Sequence, residues 1–209
     1  MKKCYVVTSY IEGGLVRLIP PGESGFVICA DGGYEAALSQ NIQPDLVMGD
    51  GDSGSMAAAP GSCAEFLCFP QEKDESDTFL CVKHAASLGF REVVIVGGLG
   101  GRLDHTVANL QTLGHFAGTF DSISVVDGKN VVTIVENAGL AIPKKEGFSI
   151  SLFSLSDRCC GVSTKGLRYP LNDAELKSSY PLGLSNKFTG TEAYVEVKNG
   201  TLLVVMSRD

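Results

Sequence analysis

The sequence predicts an α/β fold: an N-terminal open, mostly parallel sheet with flanking helices, followed by a smaller C-terminal antiparallel β-sandwich. Three observations lead there. Short apolar runs alternate with helical patterns as far as about residue 121, as strands buried on both faces and separated by helices do. From residue 122 onward the runs become short, alternating and β-branched, with no convincing helical period. A chain of 209 residues that is 44% hydrophobic and 20% charged has an ordinary globular composition and can bury a core without staples. The expected division is an α/β domain over 1–121 and a β domain over 122–209.

The first strand is expected at Cys4 to Val7. Met1-Lys2-Lys3 mimics the basic start of a signal peptide, but Thr8, Ser9 and Glu12 interrupt the apolar stretch that follows. Further strands are expected at Phe26 to Ala30, Leu46 to Met48, Glu65 to Phe69 and Val93 to Val96. Helices are expected at Tyr34 to Ser39, Asp77 to Leu88 and Leu103 to Ala117, with Gly89 as the stop of the second. In the β half, the runs Ile123 to Val126, Val131 to Val135, Phe148 to Phe153, Ala193 to Val197 and Leu202 to Met206 read as strands. Asp127-Gly128 and Asn199-Gly200 read as hairpin turns.

The formal charge of -7 disfavours a nucleic-acid binder, which would need a basic face. An anionic substrate would have to arrive with a metal ion or meet a local basic group. The seven cysteines are scattered and form no CxxC pair, so neither a zinc site nor a disulfide framework is signalled; reduced thiols in a cytoplasmic protein are the expectation. No apolar run is long enough to span a membrane.

Acidic motifs fall at the C-terminal ends of expected strands, where ligands of open parallel sheets bind. Ala30 runs into Asp31-Gly32-Gly33. Met48 runs into Gly49-Asp50-Gly51-Asp52-Ser53. Phe69 leads to a loop with Asp74, Glu75 and Asp77. Two carboxylates ~4 Å apart repel by roughly 4 kcal/mol at an effective dielectric of ~20. A hard divalent cation removes that penalty, and Mg²⁺ prefers a few carboxylates together with substrate phosphates. Asp50, Asp52 and Asp74 are therefore the candidate metal ligands. Two plainer readings stand beside this one: Asp31 as a turn residue, and Asp77 as an acidic residue favouring a helix N-terminus.

The segment Gly97-Gly98-Leu99-Gly100-Gly101-Arg102-Leu103-Asp104-His105 joins a strand to a helix that contains Asn109. A glycine turn at that place lets backbone N–H groups approach phosphate oxygens, and Arg102 offers a planar donor fork. No GK[ST] follows, so it is not a P-loop, and the glycine spacing does not fit a dinucleotide fingerprint. Helical geometry from Arg102 would put Arg102, His105 and Asn109 on one face, toward the cleft, and Leu103, Val107 and Leu110 on another, toward the sheet. The plainer alternative pairs Arg102 with Asp104 and leaves His105 to cap the helix.

In this order, Asp31-Gly32-Gly33, Gly49-Asp50-Gly51-Asp52-Ser53, Lys73-Asp74-Glu75-Ser76-Asp77-Thr78 and Gly101-Arg102-Leu103-Asp104-His105 resemble the thiamine pyrophosphokinase family. Phe153-Ser154-Leu155, Gly166-Leu167-Arg168-Tyr169-Pro170-Leu171 and Ser185-Asn186 extend the resemblance over nearly the whole chain. The resemblance implies an enzyme that transfers the pyrophosphoryl group of ATP to the hydroxyethyl group of thiamine, giving thiamine pyrophosphate and AMP. It also implies a homodimer with thiamine near the dimer interface. Asp50, Asp52 and Asp74 match the family's Mg²⁺ positions. Asp31, Asp77 and Arg102 match positions around the nucleotide and phosphates, and Gly32, Gly98, Gly101, His105 and Asn109 are further candidate binding residues beside them. Ser185 and Asn186 match the vitamin-site motif. Asp104 and Asp77 are both candidates to accept the hydroxyl proton.

Three departures from the family are visible. Gly51 stands where a bulkier apolar residue is usual, and Ser76 where threonine is common. With no Trp in the chain, Phe188 or Tyr169 is left to stack on thiamine. Two rival functions share these motifs: a pyrophosphokinase for another heterocyclic alcohol such as a hydroxymethylpterin, and a nucleotide-binding sensor without chemistry.

Overall fold

A computed structural model describes residues 3–20, 25–50 and 64–209, the side chain of Val16 excepted. Met1, Lys2 and the expected ligand Asp52, with its neighbours Gly51 and Ser53, lie outside the described residues. The chain divides into two compact units, Met1–Gly128 and Lys129–Asp209.

In the first unit, strands β1 (Lys3–Val7), β2 (Phe26–Ala30), β3 (Leu46–Gly49), β4 (Glu65–Cys68), β5 (Glu92–Val96) and β6 (Ser122–Val126) form a sheet in the order β6-β5-β1-β2-β3-β4. Every pairing among them is parallel. The helices are α1 (Leu15–Leu18), α2 (Gly33–Ser39), α3 (Asp77–Ser87) and α4 (Leu103–His115). Cys4 to Val7, Val27 to Ala30 and Val93 to Val96 are buried without a break. That explains why these strands read as continuous apolar runs: helices cover both faces of a parallel sheet. Ser76 caps α3 by accepting a hydrogen bond from the Phe79 N–H, and Gly89, at φ +74°, closes its other end.

Strand order reverses at β1, whose neighbours are β2 on one side and β5 on the other. Such a reversal opens a crevice at the C-terminal ends of the strands.

The second unit contains β7 (Asn130–Glu136), β8 (Gly139–Pro143), β9 (Ser149–Ser154), β10 (Arg158–Lys165), β11 (Ala174–Lys177), β12 (Gly183–Asn186), β13 (Glu192–Glu196) and β14 (Thr201–Ser207). They form two antiparallel layers, β12-β9-β14-β7 and β11-β10-β13-β8. One apolar cluster drawn from both layers, including Ile142, Ile150, Val162, Leu176, Val195 and Leu202, fills the space between them. This is a β-sandwich.

Three expectations are corrected. β6 pairs in parallel with β5, so it belongs to the first unit, and the division falls after Gly128 instead of after residue 121. Asn199-Gly200 is not a hairpin turn: β13 pairs with β8 and β10 while β14 pairs with β7 and β9, so the dipeptide carries the chain from one layer to the other. Strands β8, β10, β11 and β12 were not expected. β10 carries an irregularity between Cys159 and Val162, with Gly161 at φ +68°, and β12 contains Ser185 at φ +56°. Both features break the period-2 alternation that marks a strand.

Cys159 is buried and Cys160 exposed, and the six described cysteines are all free. Burial pushes the thiols of Cys4 and Cys29 up to about 12, where they are inert. Among the described residues no helix is long and apolar enough to cross a membrane.

Candidate active site

The acidic motifs sit on adjacent strand ends of the first unit. Ala30 pairs with Met48 and Gly49 with Cys68, so the chain leaves β2, β3 and β4 along one edge. Asp31 follows β2 directly, in the left-handed conformation at φ 43°; its N–H donates to Met48 O and its carbonyl accepts from Tyr34 N. The turn reading of Asp31 is thus correct as backbone geometry, and the turn also sets Asp31 against β3. A Cβ added at Gly49 would lie 3.2 Å from Asp31 Cα and 3.4 Å from its Oδ1. Gly32 is the N-cap of the short helix α2.

The cluster centres on Lys73, a residue outside the candidate site set. Lys73 Nζ lies 2.7 Å from Asp77 Oδ1 and 3.7 Å from Asp50 Oδ2. The side chains of Lys73, Asp50 and Asp77 are 14%, 16% and 27% exposed. Lys73 Nζ and Asp77 Oδ1 are closed off from solvent; they meet at ion-pair distance but out of hydrogen-bond alignment. Burial works against the ammonium, yet Asp77 and then Asp50 outweigh it, and the Lys73 pKa is raised. Asp77 is also the first residue of α3, so its helix-terminus role and its place in the cluster coexist. Asp74, on the same loop, is exposed. Among the described residues no group of three His, Cys, Asp or Glu side chains forms a metal cluster. The donor chemistry suits a hard divalent cation nonetheless: the groups are carboxylates, and Asp77 Oδ1 is a buried oxygen without an aligned hydrogen bond.

The glycine turn after β5 is built differently from the expectation. The Gly97 N–H donates to Val126 O, the Gly98 N–H to Tyr10 O, and the Gly100 N–H to Thr106 Oγ1. These three donors are spent within the fold, so Gly98 does not offer its N–H to phosphate. Gly98 is required for another reason: its φ is +73°, and a Cβ there would meet Asn109 Nδ2 at 2.3 Å. Asn109 is buried and donates to Gly98 O at 2.9 Å, so it holds the turn's shape from within. The stretch Gly101 to Leu103, at the start of α4, is exposed.

The expected face of α4 is corrected too. Leu103 and Val107 are exposed, at 75% and 47%, whereas Asn109, Thr112 and Leu113 are buried. The helix turns its second half, not its first, into the core. Arg102 pairs with Asp104 through Nε–Oδ1 at 3.2 Å and Nη2–Oδ2 at 2.6 Å, as the plainer alternative held. That pairing pulls the Asp104 carboxyl down to about 2. The His105 N–H donates to Asp104 Oδ1, and the His105 side chain caps nothing.

Tyr10, at the switch-point end of β1, stands in none of the sequence motifs. Its ring covers the turn, so that a Cβ at Gly101 would lie 2.8 Å from Tyr10 Cδ2, and 43% of the residue remains exposed. No spacing rule marks it; only the strand order does. Lys73 did leave a trace, standing four residues before Asp77 in the same motif.

In the second unit, the Asn186 side chain grips residue 169. Its Oδ1 accepts from the Tyr169 N–H at 3.1 Å, and its Nδ2 donates to Tyr169 O at 2.7 Å. Tyr169 itself is 63% exposed, with the Arg168 guanidinium 5.5 Å from its ring centroid. Phe188 packs instead against the core of that unit. The Ser185 N–H donates to Ser151 Oγ, and Ser185 lines a cavity of about 470 Å³ together with Lys187, Phe188 and Arg208.

The sequence was compared with known proteins. Residues 22–126 match the family described as thiamin pyrophosphokinase, catalytic domain, and residues 137–202 match thiamin pyrophosphokinase, vitamin B1 binding domain. The chain is 27% identical over 212 residues to thiamine pyrophosphokinase of Bacillus subtilis (strain 168), covering 95% of this chain and 97% of that protein. The crystal structure of thiamine pyrophosphokinase from Bacillus subtilis superposes with a TM-score of 0.87 at 25% identity, over the whole of both chains. That of thiamin pyrophosphokinase from Geobacillus thermodenitrificans gives 0.86 at 23% identity, covering 99% of this chain and 98% of the other, and supports the fold.

Proposed function

The chain belongs to the thiamin pyrophosphokinase family, and we propose that it is a Mg²⁺-dependent enzyme that transfers the diphosphoryl group of ATP to thiamine. The thiamine hydroxyl oxygen attacks the β-phosphorus, the bond from that phosphorus to the α,β-bridging oxygen breaks, AMP leaves, and the hydroxyl proton passes to a carboxylate. The observation that carries this reading is the convergence of Asp31, Asp50 and the Lys73–Asp77 loop at the C-terminal edge of the parallel sheet.

Asp50, Asp52 and Asp74 would hold the Mg²⁺, which when bound neutralises charge on the triphosphate. The start of α4 contributes helix-terminal N–H groups toward phosphate, and Arg102 contributes a fork. Arg102 is exposed and spends its guanidinium on an equally exposed carboxylate, a partner that a phosphate can replace without desolvating a buried charge. Asp104, which Arg102 would release on turning to phosphate, and Asp77 are the two candidate acceptors of the hydroxyl proton. Tyr169 presents its ring to thiamine on a backbone fixed by Asn186. The enzyme acts as a homodimer; supporting this, Tyr180, Leu182 and Leu184 leave apolar surface exposed on the second unit.

The direct test is a product assay with thiamine, ATP and Mg²⁺, separating AMP from ADP. AMP appearing in step with thiamine diphosphate is the expected result; ADP, or ATP binding without turnover, would overturn it. Tyr169→Ala should raise KM for thiamine about tenfold with little change in kcat, the worth of one stacked ring.

A further inference from the structure

The Lys73 ammonium is buried where the reaction would place positive charge. Its ammonium reaches Asp77 at 2.7 Å and Asp50 at 3.7 Å, and its side chain is 14% exposed. The pair is not an ordinary helix-surface contact at i,i+4, because Lys73 precedes the Ser76 N-cap while Asp77 is the first helical residue. Nor does it resemble the neighbouring pair Lys83–Glu75, which joins α3 to the same loop and whose side chains are 59% and 38% exposed. We propose that Lys73 is a positioning residue: its ammonium is the resident counter-ion that holds Asp50 and Asp77 together until a divalent cation takes over that charge.

The physical case has two parts. Two carboxylates drawn from separate loops and mostly shielded from water repel each other, and an unpaired buried charge is more destabilising than a paired one is stabilising. The loop carrying Lys73 would splay without that ammonium. Second, the pairing is strong in charge but not locked by geometry, as a placeholder requires. Lys73 Nζ is buried yet out of hydrogen-bond alignment with Asp77 Oδ1, and it lies 3.7 Å from Asp50. A cation arriving at the carboxylates therefore displaces a contact held by charge, not by a directional bond. This proposal rests on the metal reading of Asp50, and the two can be tested apart.

The experiment is a thermal-melting cycle on the metal-free full chain with Lys73→Met, Asp77→Asn and the double variant, plus Mn²⁺ titration by calorimetry without nucleotide. Lys73→Met should melt several degrees below the unmutated chain, about 2–4 °C for each 1 kcal/mol. Adding Asp77→Asn should restore most of the loss, because removing the second charge removes the repulsion. Lys73→Met should bind Mn²⁺ about tenfold more tightly. A single variant that melts normally, a double variant that does not recover, or an unchanged Mn²⁺ affinity would each overturn the proposal. If Asp50→Asn binds Mn²⁺ like the unmutated chain, the metal reading of Asp50 fails, while the melting cycle still decides the role of Lys73 in the metal-free protein.

Discussion

The first unit contains two ion pairs of nearly equal length and opposite character. Lys73–Asp77 measures 2.7 Å with side chains 14% and 27% exposed; Arg102–Asp104 measures 2.6 Å with side chains 73% and 64% exposed. Distance does not distinguish them. Water does. The sheltered pair is held by a strong local field, and losing one partner leaves a stranded charge. The exposed pair is screened and exchanges partners freely. A site that must assemble before its substrate arrives needs the first kind; a group that must let go of one anion to grasp another needs the second.

The sharpest way to break this contrast is at the sheltered end. Asp50→Asn should lower kcat by about a thousandfold, the scale of losing one preorganised electrostatic group, as read by steady-state AMP release. Near-normal turnover at saturating Mg²⁺ would remove Asp50 from the machinery. At the exposed end, Arg102→Ala should lower kcat/KM by about a hundredfold and leave Tm within about 1 °C, because no buried partner is stranded. Arg102→Lys should recover only part of the activity, since an ammonium cannot reproduce the planar fork. A large Tm loss in Arg102→Ala would show the two pairs to be alike.

The smallest effect concerns acid. Asp104 titrates near 2 in the folded chain, below its ordinary 3.8. A depressed carboxyl favours the folded state above the unfolded pKa, and that contribution fades as pH falls from about 4 through 2. Because the pair is fully open to solvent, Asp104→Asn should move the acid-unfolding midpoint by less than about 0.3 pH unit, measured by circular dichroism.

How far the sequence reached follows the same line between local and assembled properties. The parallel sheet was legible because β1, β2 and β5 are buried on both faces, which forces unbroken apolar runs. The helix α3 was legible because Asp77 opens it and Gly89 closes it, both local signals. The edge carrying Asp31, Asp50 and the Lys73–Asp77 loop was legible because Asp31 and Asp50 follow their strands directly and the Lys73–Asp77 loop joins the next strand to α3. What escaped needed neighbours distant in the chain. Tyr10 matters only because β1 lies beside β5, and β6 was assigned to the wrong unit because alternation cannot reveal that its partner runs parallel. The α4 face was misjudged because the glycine turn draws Asn109 inward, a demand no helical wheel contains.

The grip of Asn186 on residue 169 has a consequence for how substrate preference can drift. Both main-chain polar groups at that position are tied down by one amide, so the loop keeps its course whatever side chain it displays. In the enzyme proposed above, position 169 would be an interchangeable tool on a fixed handle, where a change of ring alters what is recognised and leaves the scaffold untouched.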